Sequence, residues 1–242
     1  MGKHPSKPCD PACPIRSLQR NWSGHVMGED DFQHQREHLI RDELPQLGIQ
    51  DEAVLQAMMS VPREHFVSDE NREFAYRNAP LPIGFGQTIS QPLIVAYMIE
   101  ALQLSSDERV LEIGTGSGYA AAVLSKIAKE VLTVERHPKL TASAQKRLKR
   151  LGYDNIRVFQ SDGTLGFPEC APYAAIIVAA CGPSVPPPLL EQLELGGRLV
   201  IPVGEKQGSQ KLVRVTRQAE NEFKHEELGF VHFVPLVGEA GW

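Results

Sequence analysis

The chain has 242 residues, 42% of them hydrophobic, which is enough to bury a full core in one domain with appendages and too much for a disordered protein. Its formal net charge of -5 gives no global drive toward nucleic acid, and no apolar run approaches the roughly 20 residues that span a bilayer. The start of the chain lacks the apolar centre of a signal peptide, and Cys9, Cys13, Cys170 and Cys181 make neither a disulfide framework nor the C-x-x-C pairs of a zinc site. A cytoplasmic protein with free thiols and no metal is the expectation.

Residues 1–28 carry Pro5, Pro8, Pro11 and Pro14 with scattered basic residues and no apolar periodicity, so they read as a disordered tail. Met27, just before the first patterned segment, offers an alternative start. Helical spacing of apolar residues then predicts helices over 32–47 and 52–59, punctuated by Pro45 and Gly48, and 29–106 reads as a helical N-terminal subdomain with a substrate loop. That loop, Asn78 to Ile89, is rich in Pro and Gly. After it Ser90 takes the N-cap slot of a helix running to about Leu102, with Pro92 in its first turn.

From 107 to 242 the rhythm is strand then helix. Strands are expected at 109–113, 130–135, 156–160, 174–180 and 197–203, with helices at 118–128, 138–151 and 186–194. Such alternation predicts an α/β fold, a doubly wound, mostly parallel sheet with helices on both faces. Two β-rich runs, 211–216 and 229–236, are expected to add an antiparallel edge. The basic side chains of the 138–151 helix, Lys139, Lys146, Arg147, Lys149 and Arg150, read as a solvated face.

The most informative stretch is Val110-Leu111-Glu112-Ile113-Gly114-Thr115-Gly116-Ser117-Gly118-Tyr119. An apolar run feeding an acid and then G-x-G-x-G is a buried strand turning tightly into a helix, and glycines there let the backbone approach a ligand. Glu135 ends the next apolar run, about where a carboxylate meets ribose hydroxyls, and Asp162-Gly163 follows the strand after that. The spacing differs from the G-x-G-x-x-G that packs a pyrophosphate, and Glu112 would repel phosphate. A cationic, phosphate-free adenosyl ligand fits better, and S-adenosylmethionine is one. Glu112 is assigned to the loop and the amino-acid end of this cofactor, Glu135 to the ribose and Asp162 to the adenine amino group, with Gly114, Thr115, Gly116 and Gly163 lining the site. For methyl transfer to a carboxylate no strong base is needed, and His65 and His137 read as surface or packing residues.

PREHFV from Pro62 to Val67, LPIGFGQTISQP from Leu81 to Pro92, LEIGTGSGY from Leu111, SDG from Ser161, QLELGGRLVIPVG from Gln192 and FVPLVGEAGW from Phe233 resemble the protein-L-isoaspartate O-methyltransferase family over about residues 32–242. G-x-G-x-G marks only methyltransferases at large, whereas GQTISQP is particular to this family. The resemblance implies a Rossmann-like class I methyltransferase that esterifies the α-carboxylate of L-isoaspartyl residues in damaged proteins and peptides, the ester then closing to a succinimide. It implies that Ser90 is the active-site serine, holding the substrate carboxylate, with Thr88 and Ile89 at the cofactor. It further implies isoaspartyl proteins and peptides as partners, with no nucleic acid, no membrane and a monomeric state. The chain departs from the family at Ala174 and Ala179, where an acid and a threonine are common, and at Asn78, often Asp. Two alternatives stand beside this reading: a methyltransferase dedicated to one peptide partner, since substrate breadth lives in loop shape, and, on account of Ala174 and Ala179, a non-catalytic cofactor-binding homologue.

Overall fold

The computed structural model describes residues 28–242; the tail expected over 1–28 lies, but for Gly28, outside them. An N-terminal helical layer opens with α1 (Glu29–His38), which widens into a π-helical turn (Leu39–Glu43) and closes on the short α2 (Leu44–Gln46). Then comes α3 (Glu52–Ser60), whose N-cap Asp51 accepts hydrogen bonds from Ala53 N and Val54 N, followed by 3-10 turns at Arg63–Phe66 and Asp69–Phe74. The segment expected as a plain loop instead pairs with itself. It forms an antiparallel hairpin of β1 (Leu81–Gly84) and β2 (Gln87–Ile89), turned by Gly84, Phe85 and Gly86, all at positive φ.

Helix α4 (Pro92–Leu102) corrects the expected cap. Its N-cap residue is Gln91, and no side chain at that position caps it. The cap comes from upstream: Leu93 N donates to Asn78 Oδ1 at 3.1 Å. Proline at the first helical position has no N–H to satisfy, so the next free donor, that of Leu93, is the one that requires a partner.

The sheet holds β3 (Arg109–Ile113), β4 (Glu130–Glu135), β5 (Ile156–Gln160), β6 (Tyr173–Val178), β7 (Leu193–Gly204), β8 (Gln210–Ala219) and β9 (Glu222–Val231), in the order β5-β4-β3-β6-β7-β8-β9. Pairing is parallel from β5 to β7 and antiparallel at β8 and β9, as expected of a mostly parallel sheet with an antiparallel edge. β6 is buried at every position and β3 at all but its first, because helices cover both faces of the sheet. Helix α6 (Pro138–Arg150) buries Leu140, Thr141, Ala144 and Leu148 on one stripe. Arg147, expected on the solvated face, instead reaches inward and donates to Ser117 O at 2.9 Å.

Several boundaries differ from expectation, three of them with consequences for the site and the edge. Helix α5 (Tyr119–Leu124) ends early, since Asn155 Nδ2 takes the Ser125 carbonyl at 2.9 Å and so satisfies the end of the helix from outside. Helix α7 is only Pro187–Glu191, and Leu193–Glu194 already belong to β7. β9 starts earlier than the expected 229–236 run and stops at Val231; residues beyond it leave the edge and return to the sheet centre, where Pro235 bridges Cys181.

Candidate active site

Strand order reverses between β3 and β6, and a cleft of about 890 Å³ opens at the carboxyl ends of the strands there, where open α/β sheets hold their ligands. The loop after β3 forms its floor. Gly114 and Gly116 turn through φ of +96° and +53°, and a Cβ on Gly116 would stand 3.2 Å from Ile83 Cδ1 of the hairpin. The hairpin thus lies against the glycine loop.

Two acids meet beneath this loop. Glu112 on β3 is 1% exposed and sits in parallel register with Thr133 on β4. Thr133 Oγ1 donates to Glu112 Oε2, and the Thr115 and Thr133 hydroxyls stand 2.6 Å apart. Glu112 Oε1 is buried with no hydrogen-bond partner. Burial pushes the Glu112 carboxyl up to about 8, and the charge of Glu135 acts in the same direction. Glu135 is held twice: Gly116 N donates to its Oε2 at 3.0 Å and His137 N to its Oε1 at 2.9 Å. Each of its oxygens keeps a lone pair for a hydroxyl. A buried carboxylate with an unpaired oxygen in a cleft calls for a cation, so the donor set fits a positively charged, hydroxyl-bearing ligand and disfavours a phosphate.

Of the residues expected here, Thr88, Ile89, Ser90, Glu112, Gly114, Thr115, Gly116, Glu135 and Gly163 all line this cleft. Gly163 is fixed by packing, since a Cβ there would run into Ile113 Cγ2. Asp162 does not line it. Its Oδ1 accepts from Thr164 N and Thr164 Oγ1, and its Oδ2 from Glu239 N at 2.8 Å, so the carboxylate fastens the C-terminal segment. Burial alone would raise this carboxyl, but the bonds from Glu239 and Thr164 outweigh it and hold it low. The segment so fastened brings Val234, Pro235, Leu236 and Val237 into the cleft wall, and Trp242 Nε1 ties it to Cys181 O at 3.0 Å. Sequence reasoning read these residues as an edge strand and missed the wall.

A second cleft of about 940 Å³ shares Thr88, Ser90, Ala179 and Val234 with the first. Its other walls are Pro80, Gln91 and Ile94 on one side and the end of β9 with Phe230, His232 and Phe233 on the other. Ser90 therefore stands where the two clefts join, half-buried. Ala179 is in contact with Gly114: a Cβ there would meet the Ala179 Cβ at 3.4 Å, and the small side chain keeps the junction open. Ala174 strands no partner, because nearby Arg198 is bound at 2.7 Å to Glu108 and also donates to the Ala174 carbonyl. His137 lines the first cleft, stacked on Phe85, whereas His65 lies in neither.

Comparison with known proteins gives one answer. Residues 34–241 match the family model described as protein-L-isoaspartate(D-aspartate) O-methyltransferase. The chain is 60% identical over 210 residues to protein-L-isoaspartate O-methyltransferase 2 of Pelobacter propionicus, covering 87% of this chain and 93% of that protein. It is 59% identical to protein-L-isoaspartate O-methyltransferase 1 of Geotalea uraniireducens, covering 86% and 94%. Among solved structures, a protein-L-isoaspartate O-methyltransferase superposes with a TM-score of 0.78 at 29% identity over 85% of this chain and 67% of that one. A Plasmodium falciparum structure titled as a putative member in complex with S-adenosyl-L-homocysteine superposes with a TM-score of 0.72 at 25% identity, over 84% and 96%.

Proposed function

The chain belongs to the protein-L-isoaspartate O-methyltransferase family, and from that membership we propose that its joined clefts methylate the α-carboxylate of L-isoaspartyl residues with Ser90 as the residue that holds the substrate. The observation that carries this reading is the junction itself: an acid-floored cleft and a largely apolar one share Thr88, Ser90, Ala179 and Val234, so that Ser90 faces both.

S-adenosylmethionine, when bound, supplies a methyl group on a sulfonium sulfur, a leaving group already activated. Glu112 and Glu135 would hold it, Glu112 through its unpaired Oε1 toward positive charge and Glu135 through ribose hydroxyls. Thr88, Ile89, Gly114, Thr115, Gly116 and Gly163 shape the remaining surface. The isoaspartyl chain enters by the second cleft, between Ile94 and the end of β9. There the Ser90 hydroxyl donates to one carboxylate oxygen and leaves the other aimed into the first cleft. The carboxylate, with a pKa of about 4 in model peptides, needs no base at neutral pH. What the protein contributes is alignment and the exclusion of water, by the hairpin on one side and the C-terminal wall on the other. The methyl ester is a better electrophile than the acid, so the next backbone nitrogen attacks its carbonyl, loses its proton and expels methanol, closing a succinimide that water reopens in part to normal aspartate.

The decisive assay measures methyl transfer to two peptides that differ only in Asp against isoAsp. Transfer to the isoAsp peptide alone is expected; equal transfer to both, or to neither, overturns the reading. No helix among the described residues is long and apolar enough to cross a membrane.

A further inference from the structure

PREHFV carries an arginine, Arg63, that lines neither cleft. Arg63 is fully buried, the largest such side chain among the described residues. Burying a guanidinium is costly unless its donors are used, yet its partners are two backbone carbonyls and a ring, with no carboxylate in the set. Its Nε donates to Ala75 O at 2.8 Å and its Nη2 to Ser90 O at 2.7 Å. The guanidinium carbon lies 4.7 Å from the centre of the Tyr119 ring, and Nη1 has no hydrogen-bond partner. An unpaired buried donor of this kind is costly, so a residue kept only to fill space would be better served by an apolar side chain.

The contacts share a direction. Tyr119 lines the cofactor cleft and opens the helix after the glycine loop, while Ser90 stands at the junction of the two clefts. Ser90 is also outside the cap of α4, whose first free N–H is taken by Asn78, so the local helix does not fix it. Arg63 is the side chain that binds its backbone. We propose that Arg63 is a positioning residue for methyl transfer: by gripping the Ser90 carbonyl while stacked on Tyr119, it sets where the Ser90 hydroxyl stands relative to the cofactor cleft. A planar fork suits this task, since it binds two carbonyls in its plane and offers its face to a ring at once, which an ammonium cannot do.

The proposal rests on the reading of Ser90 given above, and a double-mutant cycle separates the two. Arg63→Lys keeps the charge and the stem but loses the fork. It should lower kcat at least about tenfold for an isoAsp peptide, with KM and the affinity for S-adenosylhomocysteine each within about threefold of the parent. In a Ser90→Ala background the same substitution should cost less than about twofold, because what Arg63 positions is already gone. Losses that multiply across the cycle overturn the proposal, as does an unchanged kcat in Arg63→Lys alone. If Ser90→Ala is itself without effect, both this proposal and the Ser90 reading fail; if only Ser90→Ala slows the reaction, the Ser90 reading stands and Arg63 is discarded. Should Arg63→Lys not fold, Arg63→Gln, which keeps two donors without charge, takes its place. Failure of both to give a protein that binds S-adenosylhomocysteine would show Arg63 to serve the fold alone.

Discussion

Ser90 and Asn78 divide between them two tasks that a sequence assigns to one residue. A polar residue just before a proline-started helix is the usual signature of an N-cap, and Ser90 carries it. The actual cap is Asn78, fifteen positions upstream, brought back by the hairpin. Local pattern cannot report a partner delivered by chain reversal, which is why the serine's place at the cleft junction was legible from motif resemblance and its freedom from the cap was not. The two positions therefore separate stability from rate. Asn78→Ala should cost about 1 kcal/mol and lower the melting temperature. Ser90→Ala should melt within a degree or two of the parent and bind S-adenosylhomocysteine equally, yet methylate an isoAsp peptide at least about tenfold more slowly. A Ser90→Ala protein with a lowered melting temperature and a near-normal rate would return the serine to capping.

At the level of elements, β3, β4 and the glycine loop were readable because they are dictated by their own residues: buried apolar runs, each with an acid at or next to its end, and a turn that glycine permits. The segment after β9 was not, because its shape is set by what grips it. Asp162 and Thr164 bond Glu239 N and Ala240 N, and the segment folds back along the cleft between β6 and the hairpin. An acid at a strand end looks like a ligand residue in sequence; here the same carboxylate is a clasp for a distant piece of chain. Asp162→Ala should accordingly cost about 1–3 kcal/mol of stability and lower the melting temperature, since it takes the acceptor from Thr164 N, Thr164 Oγ1 and Glu239 N. It should weaken S-adenosylhomocysteine by no more than about threefold in calorimetry. Loss of binding at an unchanged melting temperature would instead restore the adenine contact to Asp162.

Across the whole molecule, the acid beneath the glycine loop opposes stability so that the cleft can attract charge. The unfolded Glu112 carboxyl ionises in the ordinary range and the folded one at about 8, so between those values the folded chain holds an extra proton. Stability from this group is complete below the ordinary value and is lost as pH rises through about 8. In the absence of ligand, Glu112→Gln should thus match the parent's stability near pH 5 and exceed it at pH 8.5 by on the order of a few kcal/mol, read as a higher melting temperature. Binding shows the opposite sign. The α-ammonium of S-adenosylhomocysteine, placed beside this acid, favours the ionised carboxylate, so affinity should rise with pH toward 8 and level off, with proton release seen in calorimetry; the Gln variant should bind weakly and without that slope. A parent whose affinity is flat from pH 6 to 8 would show that Glu112 is already ionised before binding. The joined clefts carry a further consequence, for the order of events. Because the two clefts share only Thr88, Ser90, Ala179 and Val234, reactants placed one in each as proposed need not leave before the other arrives. Both occupy the enzyme together, and initial rates measured against one reactant at fixed levels of the other should give intersecting rather than parallel reciprocal lines. Parallel lines would mean that the methyl group rests on the protein between two half-reactions.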